Sequence, residues 1–305
     1  MPSPDFTVRL AGADDIDTVL AVLSDAYGRT FSREWFEWKH VECPWGASRC
    51  WVADDDGGPL GVVFGMPWPL IDSRAPAGAR AVPARRLVDG ATTVRAQRRG
   101  VFRAVVQAEL DAAGVGHGRG LVFATATPEA QAAHVKNGAV ALEPIRYYYR
   151  PVRWAPAQLE TSINVVDSWL PAGSGLATEW TSAALRWRLG ARSGNEYSVS
   201  RLRQAVAPHG VVHRTVPGKL RTLVVVSEWG DAAEVARTVR ALAWQEKALL
   251  VLAPSGDGTA AIRPRVSRAR GSSLLCVWDD RFDGSARGHQ LQSWSLDALD
   301  LEGLM

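Results

Sequence analysis

Apolar and polar positions follow two periods along the chain, and the change from one to the other marks its elements. Phe6-Thr7-Val8-Arg9-Leu10 alternates, which predicts a first strand. Ile16, Val19, Leu20 and Leu23 then recur at helical spacing behind Asp14 and Asp15, which predicts a helix with acids in its first turn. Residues 32–39, SREWFEWK, read as a second, aromatic-rich helix that CPWGAS breaks. Residues 50–53 and 60–65 are hairpin strands across the turn Asp54-Asp55-Asp56-Gly57-Gly58. The run 87–94 is small and β-branched, as suits a packed strand. A polar turn at 97–102 leads into a helix with Val105, Val106 and Leu110 on one face, and residues 121–125 form the next, parallel strand. Pro128 suits a helix first turn and Gly138 its stop, and IRYYYRPV at 145–152 is a further strand whose three tyrosines cannot all face one way.

Beyond residue 175 the order restarts. Strands are expected at 211–216 and 220–228, a helix at 231–247, and strands at 248–253, 274–278 and 292–296. This repeats the later part of the first half and predicts a weak internal duplication. The fold class is therefore α/β, of the α+β kind with mixed sheets, in two domains over residues 1–155 and 156–305. The stretch 167–175 is the most linker-like.

A chain of 305 residues with 47% hydrophobic and 22% charged residues has the composition of a soluble protein with real cores. A net charge of +3 does not by itself point to nucleic acid, and no apolar run is long enough to cross a bilayer. Cys43, Cys50 and Cys276 show neither metal-ligand spacing nor an even disulfide framework, so reduced thiols in a cytoplasmic protein are expected. Asp279, Asp280 and Asp283 resemble a calcium loop only loosely, and no EF-hand pattern follows. No metal site is expected. Homodimer formation is left open.

The candidate chemistry gathers at Arg85–Phe102, RRLVDGATTVRAQRRGVF. A turn opening a helix presents unpaired backbone N–H groups and the positive end of the helix dipole. Gly100 lets backbone approach a ligand, and Arg98 and Arg99 add charge, a combination suited to a pyrophosphate. The bland alternative is a basic surface turn before an ordinary helix. Asp89 stands mid-strand, where an acid is unusual; it is either the general base or a buried carboxylate satisfied by backbone donors. In the second half Trp229-Gly230-Asp231 opens the corresponding helix with an acid, which caps well and repels phosphate.

This segment resembles motif A of the GNAT superfamily of acyl-CoA-dependent N-acyltransferases, whose loop reads Q/R-x-x-G-x-G/A. Gln97 and Gly100 fall on its first two defined positions, and Phe102 replaces the final small residue. The run from Asp89 through Thr92 and Thr93 to Gln97 is also similar to D-x-x-T-x-P-x-x-R in some members, with Val94 in place of proline. The resemblance covers residues 5–153 and implies acetyl-CoA or another acyl-CoA as co-substrate, its phosphates held by Gln97, Arg98, Arg99, Gly100, Val101 and Phe102. It implies a thioester between strands 87–94 and 121–125, with N–H groups near Thr93 and Val94 polarising the carbonyl. Thr127 stands where the family often has an asparagine touching the pantetheine arm, with a helix cap as its alternative reading. His134, four before Gly138, takes the place of the family's general-acid tyrosine; its alternative is a partly exposed structural histidine.

The resulting expectation is an N-acetyltransferase moving a short acyl group to a primary amine of a small molecule or peptide. The second, degenerate copy would be non-catalytic. Two alternatives are a Fem-type transferase that takes an aminoacyl group from tRNA, and a non-catalytic acyl-CoA-binding or assembly protein.

Overall fold

The computed structural model describes residues 5–76, 81–117, 120–162, 175–190, 196–218, 220–254 and 268–279, together with Trp294. Most of the expected linker at 167–175, Asp280 and Asp283, and the strand expected at 292–296 apart from Trp294 lie outside the described residues. So do the side chains of Tyr147 and Tyr148.

The chain forms a mixed α/β structure of two compact units. The first takes in residues 1–70, 81–143 and 274–291; the second takes in 71–80, 144–273 and 292–305. In the first, β1 (Thr7–Leu10) is followed by α1 (Ile16–Tyr27) and the short α2 (Arg33–Phe36), which widens into a π-helical turn, Glu37–Val41. The hairpin β2 (Arg49–Asp55) and β3 (Gly58–Pro67) leads to β4 (Arg85–Thr92), and these four strands pair antiparallel in the order β1-β2-β3-β4. Helix α3 (Val101–Ala113) crosses over to β5 (Leu121–Ala126), which is parallel to β4. Then come α4 (Pro128–Lys136) and the short β6 (Val140–Ala141).

Alternation along β3 explains why both faces of this sheet are covered. Val63, with Leu60, Leu87 and Val122, packs under Val101, Val105, Val106 and Leu110 of α3. Val62 and Phe64 point the other way, onto Val19, Val22 and Leu23 of α1. Burying each such side chain contributes about 1.5–3 kcal/mol. That exceeds the helix-propensity penalty of about 0.7 kcal/mol or less for the valines in α3, so packing decides that it is a helix.

The second unit uses β7 (Ile145–Pro151), β8 (Leu159–Thr161), α5 (Ser182–Leu189), β9 (Ser198–Leu202), β10 (His209–Val216), β11 (Thr222–Gly230), α6 (Ala232–Gln245) and β12 (Leu250–Pro254). Strands β8, β9, β10 and β11 pair antiparallel in that order, α6 crosses over, and β12 lies parallel to β11. An antiparallel meander, a crossover helix and one parallel pair thus occur in both units.

The boundary expected at residue 155 is displaced to 143/144, and the reason is strand pairing. Strand β7 does not close the first unit; it pairs antiparallel with β12 of the second. Beside β5 stands instead the end of the last long strand, β13 (Arg268–Asp279), with Leu274–Asp279 opposite Ala126–Leu121. Each unit thus takes in a strand from the other half of the sequence.

Candidate functional site

The parallel ladder between β4 and β5 covers only Arg85–Leu87 against Val122–Ala124, so residues 88–92 continue without β5 beside them. The strands part at a β-bulge. Val62 faces Ala91 and Phe64 faces Val88, leaving Asp89 and Gly90 opposite the single residue Val63. Asp89 takes φ +48°, a left-handed conformation that Asp tolerates better than most side chains. A Cβ on Gly90 would stand 2.8 Å from Phe102 Cε2, so glycine is required there by the helix above it.

Asp89 is not aimed at solvent. Its side chain is 7% exposed and meets Lys39 Nζ at 2.8 Å through Oδ1 and 2.6 Å through Oδ2. His40 Nε2 lies 3.0 Å from the same Oδ2, while its ring stacks on Phe64 at 3.8 Å between centroids. Burial opposes ionisation of Asp89, but the Lys39 charge and the His40 contact outweigh it and hold the carboxyl at about 2. A carboxylate so weakly basic and already ion-paired does not suit the general-base role expected of it. Neither lysine nor histidine was singled out from the sequence, because an Asp–Lys pair fifty residues apart leaves no local spacing to read.

The loop from β4 to α3 matches its expected shape. Arg98 at φ +65° and Gly100 at φ +84° turn the chain into α3, whose amino end has no side-chain cap. The N–H of Ala104 is the first to turn back, onto Gly100 O at 3.1 Å, leaving those of Gly100, Val101, Phe102 and Arg103 without helical partners. Gln97, Arg98 and Gly100 are exposed, and Arg98 makes no ion pair among the described residues. Arg99 is committed elsewhere, at 2.9 Å to Asp5 and 3.0 Å to Asp55. Thr92 Oγ1 is buried with no hydrogen-bond partner among the described residues. A Cβ on Gly61 would be 2.7 Å from Val101 Cγ1 and 3.4 Å from Thr92 Oγ1, so this hydroxyl lies beside the start of α3. An uncapped helix end and, among the described residues, a guanidinium without an ion pair and a buried hydroxyl without a hydrogen bond fit a phosphorylated, hydrogen-bonding ligand such as acyl-CoA.

Other expected roles shift. The N–H of Thr93 goes to Leu60 O at 2.9 Å and that of Val94 to Asp25 Oδ2 at 3.2 Å, so neither is free to polarise a carbonyl. Thr127 caps α4, accepting from Ala130 N at 3.3 Å, which realises its capping reading. His134 is buried between the rings of Phe102, at 5.3 Å, and Trp278, at 5.1 Å. That burial pushes its pKa down to about 4, so at neutral pH it is an uncharged ring rather than the imidazolium acid expected. Trp278 arrives from β13 and donates through Nε1 to Asn137 O at 3.0 Å, a contact that sequence proximity does not announce.

The second unit has its own bulge, at Val226 of β11, and its own fork, since β11 and β12 pair only over Thr222–Val224 and Leu250–Leu252. Its helix end is closed. Asp231 Oδ1 accepts from Ala233 N at 3.0 Å and Glu234 N at 2.9 Å.

The fold is that of GCN5-related N-acetyltransferases. A solved enzyme of this type from Anabaena variabilis ATCC 29413 superposes with a TM-score of 0.69 at 11% identity, over 89% of this chain and 72% of that one. Eis1 from Mycobacterium abscessus gives 0.63 at 13% identity, over 93% and 76%. A probable N-acyltransferase from Enterococcus faecalis V583 gives 0.66 at 11%, over 90% and 72%. No family model matches the sequence, and no curated protein does. Among the described residues no helix is long and apolar enough to cross a membrane.

Proposed function

We propose that the protein is an N-acyltransferase that moves an acetyl or other short acyl group from acyl-CoA to a primary amine of a small molecule or peptide. The observation that carries this reading is the joining, on one strand, of a forked bulge to an uncapped helix end. At about +0.5 elementary charge, with unpaired N–H groups, that end suits the pyrophosphate. Thr92 Oγ1 supplies a hydrogen bond along the way, and the fork where β4 leaves β5 receives the thioester. The similarity to N-acetyltransferases in fold supports the same reading.

In this reaction the amine nitrogen forms a bond to the thioester carbon, the C–S bond breaks with its electron pair leaving on sulfur, and the proton lost by the nitrogen passes to water and from there to the departing thiolate, giving the amide and free CoA thiol. A thiolate of ordinary pKa, about 8.5, is a competent leaving group near neutrality. The reaction therefore proceeds without an imidazolium at His134 or a basic carboxylate at Asp89. The second unit, a degenerate copy, holds no phosphates because Asp231 fills its helix end.

The test is incubation of purified protein with acetyl-CoA and a panel of amines, following free thiol release and product mass. The expected result is amine-dependent thiol release with a product about 42 Da heavier, the mass added by one acetyl group. Transfer from aminoacyl-tRNA with none from any acyl-CoA would overturn it in favour of a Fem-type reaction.

A further inference from the structure

We infer that Lys39 and Asp89 form a clamp that fixes the β4 bulge and thereby positions the acyl carbonyl, Asp89 acting as a positioning residue. The inference rests on the acyltransferase reading and adds to it the device that holds the fork open.

Both bulge residues are anchored from the α1–α2 face. Asp89 is held through its two carboxylate oxygens by Lys39, at 2.8 and 2.6 Å, with His40 at 3.0 Å. Gly90 is held through its carbonyl oxygen, which accepts from Tyr27 Oη at 3.2 Å. Lys39 and His40 are consecutive, yet only 1% and 2% exposed. They lie in the π-helical turn Glu37–Val41, a widened turn of the kind found at functional sites. Lys39 Nζ also stands 4.9 Å over the Trp35 ring, which limits its freedom further.

Energetics argue for geometry over stability. The desolvation of two buried charges offsets much of their attraction, and apolar replacements are often neutral or stabilising. The pair does fix φ at Asp89 to +48°, outside the strand region, and this is what bends β4 away from β5. Without the clamp, residue 89 is free to return to extended backbone and extend the β4–β5 ladder into the space of the thioester.

The experiment compares wild type with Asp89→Asn, Lys39→Met and the double variant. Asparagine keeps the shape of Asp89 and tolerates positive φ. Steady-state transfer, calorimetric acetyl-CoA binding and amide hydrogen exchange over residues 86–94 are measured on each. The expected result is a kcat lower by about 100-fold, as for a misplaced reacting group, with acetyl-CoA affinity retained and faster exchange at residues 88–92. Lys39→Arg restores part of kcat. Wild-type kcat in the folded double variant, or unchanged exchange at 88–92, overturns the clamp. Should the double variant fail to fold, Asp89→Asn alone carries the same readouts. If wild type binds no acyl-CoA, the acyltransferase reading fails, while the exchange measurement still decides the clamp.

Discussion

The ring of Phe102 occupies the space that a side chain on Gly90 would need, with 2.8 Å between Cε2 and an ideal Cβ there. Phe102 stands where the resembled loop has a small residue, and Gly90 is the second residue of the bulge. The large ring and the missing side chain are thus one packing solution. Gly90→Ala is expected to destabilise the protein, and Phe102→Leu to relieve part of the loss. Denaturant unfolding of the single and double variants should give a coupling of about 0.5–3 kcal/mol. Strict additivity would show that the two positions do not share the space.

Acid sensitivity follows from buried histidines. Burial holds His134 and His213 at about 4 against an ordinary 6.5. Between these values the unfolded chain takes up protons that the native state refuses, so stability falls as pH is lowered from 6.5 towards 4. Each histidine contributes a slope of up to about 1.4 kcal/mol per pH unit in that window. His134→Phe keeps an aromatic ring between Phe102 and Trp278. It should flatten the slope by one proton and retain most of the transfer rate. A rate lowered by about 100-fold or more, as for a lost general acid, would return His134 to the chemistry.

Glu228 acts in the opposite sense. Both carboxyl oxygens are buried without a hydrogen-bond partner among the described residues. Burial raises its pKa from 4.5 to about 8, with Arg150 opposing. The native group stays protonated while the unfolded one ionises, so this residue lowers stability as pH rises from 4.5 towards 8. Glu228→Gln should raise the melting temperature relative to wild type at pH 8 and change it little at pH 4.5. An equal shift at both pH values would show that the effect is not one of ionisation.

Local signals carried much of this structure. The β2–β3 hairpin follows from its Asp-Gly turn, α4 from Thr127 and Pro128, and α6 from Asp231. The helix-opening loop follows from Gly100, a residue type suited to the positive φ it adopts. What escaped was long-range. The exchange of β7 and β13 is set by pairing partners far along the chain, which no local pattern announces. The charge states of Asp89 and His134 depend on Lys39 and Trp278, neither of which lies near them in sequence. Thr93 and Val94 had the right residue types and place, but their N–H groups are spent on Leu60 and Asp25.

On the proposed reading, acyl-CoA binds at the open amino end of α3 in the first unit and not at the closed end of α6 in the second. Calorimetric titration with acetyl-CoA of wild type, Gly100→Glu and Asp231→Ala distinguishes the two ends. Nothing lies within 4 Å of a Cβ at Gly100, so the glutamate has room to stand there, its charge against the phosphates; the φ of +84° adds some strain. Asp231→Ala removes a cap worth about 1 kcal/mol of stability and leaves the α3 end intact. Wild type and Asp231→Ala are expected to bind alike, and folded Gly100→Glu not at all. Undiminished binding to Gly100→Glu, or its loss in folded Asp231→Ala, would contradict it.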